Sequence, residues 1–379
     1  TKILLAINKK NKLLSNSLKT NVINEEFINN NLNKNIFVKS ATINSKKIYD
    51  NSIFIGIKGK KFNGNLYGLE AIKNKAILAV TNKKSKNSKV IYRTNPLDDF
   101  NKICLNLRKS LNANYIAITG SSGKTSVKEL VGFCLNKIAK TYFSKNSFNN
   151  KYGVPLSIFN TPQSKKFAVL EVGMDKKGEI DYLTKLIKPN LGLITNISYA
   201  HIENFKNLDQ IAAAKSEIIN NIIPGGTMVI NKDDKYYPYF LKKANSLGLK
   251  IISFSKKDKN TNVFYIKKKK NKNNYLITFS INKTIKSFLI PKELSNYLDN
   301  ILSSLSIIIN YFDIKTLDKN LFINFNIPKS RGSLIKYKKG SKKITIVDES
   351  YNSNPLSLKF ALENFDMTYR EKKRKFLLI

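Results

Sequence analysis

The sequence predicts an α/β protein organised around a mostly parallel sheet covered on both faces. Three observations predict it. Strand-like runs, YIAIT (115–119), FAVLEV (167–172), LGLITNI (191–197), TMVIN (227–231) and KIISFS (250–255), alternate with helical patterns such as SVKELVGFCLNKIA and LDQIAAAKSEIINNI. The first of these runs stops at a glycine turn, TGSSGKTS (119–126), that opens directly into a helical pattern. The chain has 379 residues, 42% of them hydrophobic, enough for more than one buried core.

Taken in order, three regions separate. Residues 1–112 contain IFIGIK (53–58) and AILAVT (76–81) with a helical pattern between them, the signature of a small α/β domain. Residues 113–326 hold the alternating runs, followed by antiparallel-looking strands at 262–290 and a buried helix at 294–312. The segment NIPKSRGS (326–333) reads as a linker. Residues 327–379 then begin a third unit with KITIVDESYNSNP, a strand, a turn and a helix. The sequence stops on the apolar run KFLLI, so a C-terminally truncated third domain is expected. No internal repeat is present.

The formal net charge is +41, yet only Arg93, Arg108, Arg331, Arg370 and Arg374 among the 67 basic residues are arginine. Lysine is spread along the whole chain, which reads as a solvated lysine surface. Specific nucleic-acid recognition is not expected, because arginine is the usual reader of base edges and bidentate phosphates. Cys104 and Cys134 lie in apolar helical stretches and read as buried free thiols in a reducing compartment, the cytoplasm. No apolar run approaches the roughly 18 residues that cross a bilayer.

The glycine turn carries the first chemistry. Gly120 and Gly123 let the backbone bend around phosphate oxygens, with Ser121, Ser122 and Ser126 completing the loop. Lys124 reaches toward the outer phosphates, and the Thr125 hydroxyl suits a magnesium ion. Ile118 stands where the full Walker spacing has glycine, so this is a shorter GxxGKT variant. ATP is the first expected ligand. The loop alone does not distinguish a kinase, a GTPase and a ligase.

Five segments occur in one order: TGSSGKTS, NNKYGVPLSIFN (149–160), LEVGMDKKGEID (170–181), NISYAHIENFKNLDQIAAAKSEI (196–218) and VDESYNSNP (347–355). Together they resemble the Mur ligase family, and within it the member that adds D-alanyl-D-alanine to UDP-MurNAc-tripeptide. The resemblance implies three domains: an N-terminal UDP-sugar binder, a central P-loop ATPase-like domain and an incomplete C-terminal Rossmann-like domain. It implies a monomer that acts on small-molecule substrates with ATP and Mg2+ in peptidoglycan precursor synthesis. ATP phosphorylates a substrate carboxylate, and an amine displaces phosphate from the acyl phosphate.

Residue roles follow from the same resemblance. Lys124, His201 and Lys215 would be catalytic. Thr125, Glu171, His201 and a carbamylated Lys215 would hold magnesium. Asn300 would meet adenine, Arg331 would approach the nucleotide from the hinge, and Asp348 would accept from the ribose hydroxyls. Asn149, Asn150, Tyr351, Asn352 and Asn354 would meet the substrates, and Ser45 and Lys46 the UDP moiety. Two departures stand out. Asn44, Ser45 and Lys46 replace the usual Asp-Ser/Thr-Arg, and Asn296 and Tyr297 replace a His-Asn pair before the adenine helix. A sister ligase that adds a diamino acid to UDP-MurNAc-dipeptide is the alternative within the class. A basic P-loop nucleic-acid-binding protein is the alternative outside it.

Overall fold

The computed structural model describes residues 3–5, 36–59, 61–199, 204–340, 342–351 and 355–369. The strands β1 (Ile3–Leu5) and β2 (Ile36–Val38) pair antiparallel. A four-stranded parallel sheet follows, in the order β3 (Ser40–Thr42), β4 (Ser52–Ile55), β5 (Leu78–Thr81) and β6 (Val90–Tyr92). Helix α1 (Gly68–Lys73) joins β4 to β5. Helix α2 (Pro96–Ser110) follows β6 and starts as its sequence dictates: Asn95 caps it, Pro96 opens it, and Asp98 and Asp99 fill its first turn.

The central region is a nine-stranded sheet. Its strands are β7 (Asn114–Thr119), β8 (Thr141–Phe143), β9 (Phe167–Glu171), β10 (Leu191–Ile194), β11 (Thr227–Asn231) and β12 (Lys250–Ser255), then β13 (Val263–Asn271), β14 (Asn274–Ile281) and β15 (Thr284–Pro291). The spatial order is β15-β14-β13-β12-β11-β10-β7-β9-β8. Strands β7 to β12 pair parallel, β13 joins β12 parallel, and β13-β14-β15 form an antiparallel meander. The antiparallel strands expected near 262–290 therefore extend the same sheet.

The helices are α3 (Lys124–Ile138), α4 (Gly153–Phe159), α5 (Glu179–Ile187), α6 (Leu208–Lys215), α7 (Tyr237–Asn245) and α8 (Leu298–Ile308). Strand alternation divides the core between the two faces. Tyr115 and Ala117 of β7 join a cluster with α4 and α5, while Ile116 and Ile118 join one with α3 and α8. The first cluster also takes in Val38, Ile53, Leu78 and Phe100, so the small sheet and the central sheet share one apolar core. Asn160 closes that contact by exchanging two hydrogen bonds with the backbone of Ala41, at 2.8 and 3.1 Å.

Two local features differ from the sequence expectation. The helix read as continuous over 208–222 stops at Lys215, and a tighter 3-10 turn runs over Ser216–Asn221. That turn aims Glu217 at the start of α5, where its carboxylate accepts from the amides of Gly178 (2.8 Å) and Asp181 (3.1 Å). The linker leads into a strand, β16 (Ser333–Lys339), which pairs antiparallel with β17 (Lys342–Asp348) ahead of α9 (Pro355–Thr368). Ile335 and Tyr337, β-branched and aromatic, suit a strand, and both remain exposed in β16.

Candidate active site

The carboxyl ends of β7, β9 and β10 meet the starts of α3 and α8 on one edge of the central sheet, where open α/β sheets bind ligands. A cleft of about 1500 Å3 lies there, lined by the loop 121–126, Asn149, Glu171 and Lys215, and by Arg331 and Tyr351 from beyond the linker.

The loop geometry requires its glycines. Gly120 has φ +148°, and a Cβ there would lie 1.8 Å from Thr195 Oγ1. Gly123, at φ +79°, leaves room for the Asn300 side chain, which sits 3.3 Å from where its Cβ would be. The end of β10 braces the loop: Asn196 Oδ1 accepts from Ser122 N (3.1 Å), and Ser121 Oγ donates to Ser198 O (2.8 Å). Lys124 folds over the loop and donates to Gly120 O (2.8 Å) and Ser121 O (3.3 Å). Burial lowers its pKa, while Glu171 works the other way.

Glu171 ends β9 with its side chain pointing into this edge, and the residue is 1% exposed. Both its oxygens are engaged: Thr125 Oγ1 donates to Oε2 (2.6 Å) and Asn149 Nδ2 to Oε1 (2.7 Å). Lys215, at the end of α6, is 2% exposed, and no hydrogen bond or ion pair to its side-chain amine is present among the described residues. Burial, with Lys124 adding repulsion, holds its amine well below the ordinary lysine range. The neutral form is therefore strongly favoured compared with a surface lysine.

The C-terminal segment completes the wall. The Arg331 guanidinium lies 3.9 Å from the Tyr351 ring centroid. Both side chains reach Ser147, at 3.3 Å from Arg331 Nη2 and 2.7 Å from the Tyr351 hydroxyl. Lys256 and Asp299 pair at 2.7 Å beside Asn300. Asn150 lines the cleft, and its side chain accepts from Tyr152 N (3.1 Å) and Gly153 N (3.0 Å) just before α4.

The structure thus brings together the loop residues Gly120, Ser121, Ser122, Gly123, Lys124, Thr125 and Ser126 with Asn149, Asn150, Glu171, Lys215, Asn300, Arg331 and Tyr351. His201, Asn352 and Asn354 lie outside the described residues. Ser45 and Lys46 do not line this cleft: Ser45 is held by Glu70 (3.1 Å) on the small sheet's own helix, and Lys46 is exposed there. Asp348 is engaged by Ser330 (3.0 Å) and Ser350 (2.6 Å), and those bonds hold its carboxyl below the usual range. Its neighbour Glu349 is the carboxylate that lines the cleft. Sequence reasoning did not single out Ser147, Glu349, Lys256 or Asp299. For the serine and the lysine no local signal exists, lysine being spread along the whole chain, whereas Glu349 stands beside a residue that was chosen.

Fold and site define a class: a P-loop nucleotide-binding α/β protein with a carboxylate and a buried lysine facing the phosphate loop. The Mur ligase middle domain matches residues 118–307. The UDP-N-acetylmuramoyl-tripeptide–D-alanyl-D-alanine ligase of Buchnera aphidicola is 33% identical over 86% of this chain and 71% of that one. Its counterpart in Rickettsia prowazekii is 30% identical over 89% and 74%. A crystal structure of MurF from Acinetobacter baumannii superposes with a TM-score of 0.76 at 24% identity, covering 86% of this chain and 71% of that one. MurF ligase from Thermotoga maritima in complex with ADP gives 0.73 at 24% identity, with 86% and 74% covered. The chain belongs to the Mur ligase family. No helix among the described residues is long and apolar enough to cross a membrane.

Proposed function

We propose that this protein is an ATP-dependent carbon–nitrogen ligase that joins D-alanyl-D-alanine to UDP-MurNAc-tripeptide in peptidoglycan precursor synthesis. The observation that carries the reading is the convergence of Lys124, Thr125, Glu171 and Lys215 on one cleft, walled by Arg331 and Tyr351. The same reading divides the chain into the UDP-sugar domain 1–112, the ATP domain 113–326 and the start of the third domain at 327–379. It assigns Ser45 and Lys46 to UDP, and Asn300 and Asp348 to the nucleoside.

The chemistry must bring two anions together, a carboxylate and a triphosphate. The loop amides and the start of α3 point partial positive charge at the transferred group. Lys124 exchanges its bonds to Gly120 and Ser121 for phosphate oxygens. The carboxylate oxygen attacks the terminal phosphorus, and ADP leaves. The amine of the dipeptide then attacks the acyl carbon, an amide bond forms, and phosphate departs. Arg331 and Tyr351 exclude water from the acyl phosphate when they close on Ser147.

The donor set fits magnesium. Thr125 Oγ1 and Glu171 Oε2 are hard oxygen ligands 2.6 Å apart at the loop's mouth. A carbamylated Lys215 and His201 would hold a second ion. Bound magnesium supplies charge neutralisation between the phosphates and the incoming carboxylate. Carbamylation needs a neutral amine, because its lone pair must attack carbon dioxide. The environment of Lys215 favours that form.

Phosphate release from ATP that requires both UDP-MurNAc-tripeptide and D-alanyl-D-alanine is the expected result, with Lys124→Ala abolishing it. Release that ignores the dipeptide, or that proceeds equally with a free diamino acid and UDP-MurNAc-dipeptide, would overturn the assignment.

A further inference from the structure

Lys128 is 0% exposed, which is unusual for a lysine on a helix one turn from a ligand loop. It lies on α3 at i+4 from Lys124, hence on the same side of the helix. Its Nζ donates to Ser144 O (2.5 Å) and Asn146 O (2.6 Å) and pairs with Glu129 Oε1 (2.7 Å). One further turn along, Gly132 lies against Phe143, whose ring would be 2.5 Å from a Cβ there. That close approach lets β8 run down onto α3 and delivers the chain after it to Lys128.

The segment so held, 144–150, feeds both walls of the cleft. Asn149 bonds the Glu171 carboxylate, and its carbonyl accepts from Gly173 N (2.7 Å). Ser147 receives Arg331 and Tyr351. Within the segment Asn146 takes φ +48°, a left-handed conformation that turns its carbonyl toward α3. Two carbonyls turned inward need donors, since a buried unpaired carbonyl is costly. Lys128 is the donor to both.

We propose that Lys128 is a positioning residue for the ligase reaction. It fixes segment 144–150 against the phosphate-loop helix, so that Asn149 and Ser147 face Glu171 and the Arg331–Tyr351 pair. Lys128 does not line the cleft; it acts through Asn149 and Ser147. The functional half of the inference rests on the ligase reading, whereas the structural half does not.

The experiment compares the wild type with Lys128→Met, Lys128→Arg, Asn149→Ala and the Lys128→Met/Asn149→Ala double variant. Amide hydrogen exchange reads the structural half without any substrate. In Lys128→Met, amides of 145–150 should exchange at least about tenfold faster, while those of β9 and the later turns of α3 keep their protection. Turnover reads the functional half. Lys128→Met should lower kcat by about tenfold or more and leave the Kd for ATP within about threefold, because the loop 120–126 is braced separately by Asn196 and Ser198. Lys128→Arg, which keeps a buried donor, should recover most of the loss. The double variant should be little worse in kcat than its poorer parent, as expected for residues in one chain of contacts. Should Lys128→Met fail to fold, Lys128→Arg carries the test with the same signs at smaller size. Unchanged protection of 145–150, equal losses in ATP binding and turnover, or additive losses in the double variant would each overturn the proposal. A wild type that shows the segment's protection but no dipeptide-dependent turnover would instead count against the ligase reading alone.

Discussion

The two seams of the molecule are built from opposite materials. Between the small sheet and the central sheet runs one apolar core, in which Phe100 of α2 meets Phe159 of α4 with ring centroids 5.4 Å apart. Between the central sheet and the described part of residues 330–369 the named contacts are mainly polar. Arg331 and Tyr351 rest on Ser147, Asn296 bonds Asn364 (2.7 Å), Tyr297 approaches Glu349 (3.4 Å), and the Tyr297 ring packs on Phe360. None of the described residues of β16, β17 or α9 joins an apolar core cluster. A continuous apolar seam locks two units into one body, whereas a thin polar seam permits relative motion. The small sheet is therefore tied to the phosphate-loop region by its core, whereas the C-terminal wall is held by the thinner seam, where relative motion is the default expectation. Ser330 (φ +59°) and Gly332 (φ +90°), both in left-handed backbone, turn the chain as it enters that wall.

The largest effect should come from the apolar seam. Phe100→Ala should cost about 3–5 kcal/mol, and calorimetry should still show the small and central sheets melting in one transition. Separate transitions would break the comparison. Asn160→Ala should cost about 1–3 kcal/mol, because the backbone groups of Ala41 lose both partners. Tyr351→Phe at the polar seam should change stability by less than about 1 kcal/mol and yet lower dipeptide-dependent phosphate release severalfold, since it loosens closure alone. A loss of stability equal to that of Asn160→Ala would mean that this seam is also structural.

The smallest effect is a pH dependence. Desolvation raises the Glu349 carboxyl above its ordinary value of 4.5, against the opposing pull of the Tyr297 hydroxyl bond and the Arg331 charge, although the residue keeps contact with solvent. A raised carboxyl contributes stability that is complete below the unfolded pKa and is lost as pH rises through the folded one. Docking of the C-terminal wall should accordingly weaken as pH climbs from about 4 toward neutrality. Glu349→Gln should flatten that slope, read by limited proteolysis at the hinge across the same pH range. An unchanged slope would remove Glu349 from the seam.

Much of this was legible in the sequence because periodicity and glycine chemistry are local. Strands 227–231 and 250–255 fall where their β-branched runs end, and Gly120 and Gly123 announce the loop. The convergence of Thr125, Glu171 and Lys215 was legible only through five motifs read in order. What stayed hidden depends on distant partners. The break after Lys215 is set by Glu217 reaching another helix. The burial of Lys128 is set by carbonyls of a loop that no helical pattern reveals. Strand β16 was concealed because its lysine-rich face looks like the linker before it.

The carboxylate of Glu217 has a consequence of its own. Among the helices that begin beside the cleft, α3 and α5 differ in what stands at their starts, and an open start would attract a polyanion. At α5 the chain has supplied its own anion, so that berth is already taken. A triphosphate would meet a carboxylate at the start of α5 and Lys124 with Thr125 at the start of α3.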